Sequence, residues 1–119
     1  MSASTGPTYQ APDITDDNVV TPTFVRDELL KCFQSANREF MAASNQPVPS
    51  EKDIKEQVNQ FVTGAFQSCG ASIDAPTKEG LVAAIELCKK NAKDMMGEKG
   101  QEIVNHHYEE IMKTVRLLK

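Results

Sequence analysis

Apolar residues in this 119-residue chain recur every three or four positions in four separate stretches, and nowhere do they alternate one on, one off. A period near 3.6 turns a stretch into a helix with one apolar stripe, and a stripe must be buried against something. The first stretch, about residues 23–44, carries Val25, Leu29, Cys32, Phe33, Ala36 and Phe40, and the second, about 51–69, carries Ile54, Val58, Phe61, Val62, Ala65, Phe66 and Cys69. The third, about 78–96, puts Leu81, Ile85, Cys88, Ala92 and Met95 on one face; the fourth, about 99–118, has Val104, Tyr108, Ile111, Val115 and Leu118. No alternating Val/Ile/Thr run stands between turn signals, so no strand is expected. Short connections favour antiparallel neighbours. The expected fold is therefore all-α, an antiparallel four-helix bundle over residues 21–119.

The punctuation agrees with the periodicity. Pro22-Thr23, Pro49-Ser50 and Pro76-Thr77 are spaced 27 residues apart. In each, a Ser/Thr hydroxyl can accept from an orphan amide of the first turn, while the proline keeps the residue before it out of helical geometry. Asp53 adds a variant of the capping box to Ser50. The second and third stretches also align in register, Ile54 with Leu81, Val58 with Ile85, Ala65 with Ala92 and Gly70 with Gly97. A helix duplication and ordinary helix punctuation both predict that likeness. "GEKG" at 97–100 is a helix stop followed by a start, with Gly97 as a C-cap.

Before the first stripe, residues 1–20 are polar, with Gly6, Pro7, Pro12 and a bunched charge at Asp13, Asp16 and Asp17. Such a composition offsets little ordering entropy by burial, which predicts a flexible acidic tail. The segment has neither the basic start nor the apolar run of a secretory signal, and no apolar run in the chain approaches the roughly 18 residues that span a bilayer. Cys32, Cys69 and Cys88 are odd in number and form no CxxC, which predicts reduced thiols and a cytoplasmic protein. A formal net charge of -4 disfavours nucleic acid as a partner, because such binding draws on a basic face.

Only "IVNHHYEEIM", residues 103–112, hints at chemistry. At about 100° per residue, His107 falls in the apolar arc of the fourth stripe, whereas His106 points away with Glu102 and Glu110 four residues to either side. The two rings diverge, which argues against one site using both. His107 reads as a core-edge histidine satisfied by a buried partner or a backbone carbonyl, with a pH-sensing or ligand role as the alternative. Glu102, His106 and Glu110 are the candidate ligands of a divalent metal, weighed against a solvated histidine flanked by carboxylates. A full carboxylate-bridged bundle site would need further histidines, and the chain has only these two.

Other reactive groups are poorly placed for catalysis. Cys32 and Cys88 lie mid-helix on apolar stripes, and Cys69 sits at a helix carboxyl end, where the dipole opposes a thiolate. Lys89, Lys90 and Lys93, then Lys113, Arg116 and Lys119, gather toward helix carboxyl ends, where cations offset the dipole. Glu86 with Lys90 and Glu109 with Lys113 are expected ion pairs of a solvated face. No enzyme activity and no resident cofactor are expected, a divalent metal at His106 aside.

A surplus of apolar residues remains once the stripes are filled. Leu30, Met41, Ala83 and Leu87 all fall off the main stripes, and the third stretch opens as "GLVAAIELC", apolar almost all round. Scattered surface hydrophobes are ordinary; a second contact surface is the other explanation. The chain thus reads as a small cytoplasmic helical interaction module, a regulatory or accessory subunit that docks another protein or forms a homodimer through those four residues. The alternative is a metal- or small-ligand-binding bundle built on His106, His107 and the nearby glutamates.

Overall fold

The computed structural model describes residues 9–118, and the flexible-tail expectation for residues 1–8 lies outside the described residues. Three α-helices follow one turn of 3-10 helix at Asp17–Val19: α1 (Pro22–Ala43), α2 (Glu51–Ser68) and α3 (Lys78–Val115). Each α-helix opens on a hydroxyl cap. The Oγ1 atoms of Thr21 and Thr77 accept from the amides of Phe24 and Gly80, both at 3.1 Å, and Ser50 Oγ accepts from Asp53 N at 3.2 Å. In α1 the cap is Thr21 rather than Thr23. Pro22 then occupies the first helical position, where its missing N–H would have had no acceptor in any case.

The third and fourth helices expected from the sequence are two limbs of one element, α3, which bends at Gly97. A straight helix of 38 residues would be about 57 Å long, but the longest extent of the molecule is 40 Å. Gly97 makes the bend with φ 67° and ψ -158°, a conformation open essentially to glycine alone. The second limb folds back along the first. Tyr108 Oη donates to the Glu86 carboxylate, and Lys89 Nζ lies 4.0 Å from the centre of the Tyr108 ring. Glu86 therefore meets Tyr108 rather than Lys90, and Lys113 pairs with Glu110 at 2.8 Å rather than with Glu109.

The stripes of α1, α2 and both limbs of α3 meet in one core that includes Val25, Leu29, Ile54, Val62, Phe66, Leu81, Ile85, Val104 and Ile111. Burying side chains of this kind stabilises by about 1.5–3 kcal/mol each. Met95 departs from its expected place. Leu81, Ile85, Cys88 and Ala92 are buried as predicted, but the line continues to the half-buried Met96, and Met95 is 74% exposed. Its stripe loses its facing partners where the chain turns at Gly97.

Residues 9–20 touch the helices at separated points, with residues 15–19 exposed. Val20 is buried in the core, and Tyr9 and Ile14 pack on it. Composition did not anticipate this, because three separated side chains supply the anchorage within an otherwise polar stretch.

Candidate functional site

Two places concentrate features that packing alone does not account for: a polar seam between α1 and the second limb of α3, and an apolar groove at the opposite end of α1 from its cap.

The seam centres on His107, which is 1% exposed. One helical turn back along α3, the Ile103 carbonyl lies 2.7 Å from His107 Nδ1 and accepts its proton. This leaves Nε2 as the acceptor for the Ser35 hydroxyl at 3.2 Å, and Ser35 Oγ in turn accepts Tyr9 N at 2.9 Å. The Tyr9 ring stacks near the imidazole with 6.5 Å between centroids, and Tyr9 Oη donates to Glu28 at 2.9 Å. Ala11 N donates to Glu110 Oε1 at 2.9 Å. The N-terminal segment is thus latched across α1 and α3 by donors that meet acceptors on both helices. Burial holds His107 below the ordinary histidine range, with its Ile103 bond and the nearby Glu39 opposing that shift. The hydrogen bond to Lys113, then the Ala11 amide, holds Glu110 below the ordinary carboxylate range.

These contacts place the sequence-derived metal candidates apart from one another in role. Glu102 and His106 are exposed, whereas both oxygens of Glu110 are engaged, one by Ala11 and the other by Lys113. Among the described residues, no three His, Cys, Asp or Glu side chains converge on a point that could hold a metal ion. His106 and His107 touch edge to face, 5.4 Å between centroids, so the rings diverge as the helical wheel requires. The cysteines are free. Burial pushes the Cys88 thiol up to about 12 and raises Cys32 further, which disfavours either as a nucleophile.

The groove is a half-open cavity of about 530 Å³ where the carboxyl-terminal half of α1, the middle of α2 and the end of the first α3 limb meet. Phe33, Phe40, Phe61, Met41, Met95 and Met96 form most of its wall. The Phe33 and Phe61 rings, 5.7 Å apart between centroids with a 54° tilt, join α1 to α2 within that wall. Asn37, Gln57 and Gln60 are its polar lining residues, and none of the lining residues is charged. Across the connecting loop, Arg38 pairs with Glu51 at 3.0 Å and ties α1 to the start of α2.

Of the four residues expected to make a contact surface, only Met41 lines this groove. Leu30 faces a separate polar cleft with Arg26, Asp27, Asn59, Thr63, Ile73 and Asp74. Leu87 is half-buried against the core, and Ala83 is exposed. Of the groove residues on the expected stripes, which are Phe33, Phe40, Val58, Phe61, Ala92 and Met95, Phe40 and Met95 carry a signal in retrospect. They are the large apolar residues nearest the ends or edges of their stripes, where a facing helix can run out.

No family model, no curated protein and no solved structure matches this chain. Among the described residues, no helix is long and apolar enough to cross a membrane.

Proposed function

We propose that this chain is a small helical protein-interaction module, a regulatory or accessory subunit, whose binding face is the Phe/Met groove, and that its occupant is the apolar face of a helix from another protein. The carrying observation is an uncharged cavity of about 530 Å³ walled by three phenylalanines and three methionines. Its volume lies within the roughly 300–1,000 Å³ of sites that hold ligands. Methionine walls repack around different apolar shapes, which suits a surface that accepts a row of side chains from a docking helix. An open side admits a chain, and a neutral lining selects an apolar face over a charged one. Three free thiols support a reducing, cytoplasmic setting.

The test uses a neutral apolar dye, N-phenyl-1-naphthylamine, and native mass spectrometry. The dye should brighten on the wild-type chain with one site per chain and lose that signal on Phe40→Glu, with helical circular dichroism unchanged. A titration without saturable brightening, or one indifferent to Phe40→Glu, refutes the groove as binding face. A native spectrum dominated by a dimer that Phe40→Glu splits would make a second copy of this chain the occupant.

A further inference from the structure

We propose that Met95 is an oxidation site, and that its conversion to the sulfoxide closes the Phe/Met groove to an apolar occupant. The inference rests on the groove reading above and adds its regulation.

Three observations converge on Met95. It is 74% exposed, the most open of the large hydrophobic residues that stand out at the surface, because the buried line of its helix runs on from Ala92 to Met96 and leaves Met95 outside it. It also lines the groove, so its thioether stands between solvent and the site. The competing sulfur atoms are better shielded. Met41, Met96 and Met112 are half-buried, as is Cys69, while Cys32 and Cys88 are buried. Oxidation of thioethers and thiols follows exposure, and for thiols also thiolate character, so a peroxide reaches Met95 first among the described methionines.

The chemistry is a two-electron oxygen transfer. The Met95 sulfur attacks a peroxide oxygen, an S–O bond forms as the O–O bond breaks, and the other oxygen leaves as water after taking up the proton. Sulfur is oxidised and the peroxide reduced; a thiol-dependent sulfoxide reductase reverses the change. The sulfoxide oxygen is a strong acceptor that keeps water at the lip. An apolar side chain entering beside it must strip that water without supplying a donor. Met96, the next residue, remains in the wall, so the loss falls on entry to the groove rather than on the core.

The experiment treats the full-length chain carrying Cys69→Ser with limiting hydrogen peroxide, locates oxygen by peptide mass spectrometry, and titrates N-phenyl-1-naphthylamine before and after. Met95 should oxidise ahead of Met41, Met96 and Met112, and dye affinity should fall roughly fivefold or more. Met95→Leu in the same background should bind dye and keep its affinity after peroxide, and Met95→Gln should bind as weakly as the oxidised protein does. Oxidation of another described methionine ahead of Met95 overturns the proposal. So does an oxidised Met95 that leaves dye binding unchanged, in which case the groove reading stands. No dye binding to the reduced protein overturns the groove reading and the control proposed here together.

Discussion

Replacing Gly97 by alanine should destabilise the chain by about 1–3 kcal/mol, and the source of that cost can be isolated. A Cβ built on Gly97 meets nothing within 4 Å, so the substitution causes no collision. What it meets is the backbone, since φ 67° with ψ -158° is a region that side-chain-bearing residues occupy only at about 1–3 kcal/mol of strain. The chain has one escape, to straighten α3 and let the new alanine gain the roughly 1 kcal/mol of helix propensity it holds over glycine. Straightening would draw the second limb away from the first and expose parts of Val104, Ile111 and Val115, each now buried. At about 1.5–3 kcal/mol per side chain that loss exceeds the propensity gain several times over, so the bend persists and the strain remains. In thermal unfolding followed at 222 nm, the midpoint should fall by roughly 4–15 °C. Gly64 is the control. It lies inside α2 with no contact within 4 Å of an added Cβ and an ordinary φ, so Gly64→Ala should stabilise by about 0.5–1 kcal/mol. If Gly97→Ala proves neutral or stabilising as Gly64→Ala does, the bend is not held at residue 97 and the two-limb account of α3 fails.

Three further outcomes follow from the seam and the thiols. Tyr9→Phe removes the donor to Glu28 and keeps the ring beside His107, so urea unfolding should show a loss of about 1 kcal/mol, with amide exchange rising first in residues 9–14; an unchanged midpoint and exchange pattern would show that the latch bears no load. His107 is held below its unfolded value of about 6.5 by burial, among Glu39, Glu110 and His106 and beside Ser35 and Tyr9, so folding favours its neutral form. Its contribution is intact above pH 6.5 and drains away as the pH falls toward the folded pKa, by at most about 1.4 kcal/mol per pH unit. Chemical unfolding of wild type against His107→Gln between pH 5 and 8 should show the wild type losing its advantage on the acid side, and a wild type that gains stability there would reverse the assigned sign. Native labelling with an aromatic disulfide should modify Cys69 first, with Cys32 and Cys88 reacting only as the chain opens; equal rates at all three would contradict the buried placement of the two core thiols.

The helices were legible because their signal is local and redundant. Each stripe repeats over several turns, and each of the three α-helices starts from a hydroxyl cap close to the expected place. The buried state of Val25, Leu29, Ile54, Val62, Leu81, Ile85, Val104 and Ile111 follows from period alone. The divergence of His106 and His107 was equally available, since one residue is always about 100° on a helix. The bend was half legible. The stop and start at 97–100 placed the break at Gly97, but did not reveal that the two stretches form one element bent there. The latch was hidden because its anchors bind across 19, 26 and 99 positions of sequence. Composition averages over such a segment and has no means of weighting one tyrosine that happens to meet Glu28 and His107.

The groove was hidden for a related reason, and that reason says something about where small bundles bind. A stripe read from one helix assumes a facing surface along its whole length. In a chain of this size the helices differ in length and the last one turns back, so the assumption fails first at the ends. There Phe40 and Met41 of α1 and Met95 and Met96 of α3 keep their apolar character and line a gap together with Phe61 from the middle of α2. Off-stripe residues such as Ala83 and Leu87 looked like the surplus, yet Leu87 is absorbed by its neighbours. The surplus that remains open joins the stripe residues Phe40 and Met95 to the off-stripe Met41, at the point where Gly97 turns the last limb away. The bend that closes the core thus also leaves the cavity beside it. A change there that redirects the second limb, such as Gly100→Ala, whose added Cβ would collide with the Met96 side chain, should move the groove wall and core stability together. Thermal unfolding and dye titration on that variant should therefore both depart from wild type, and a shift in one without the other would separate the bend from the cavity.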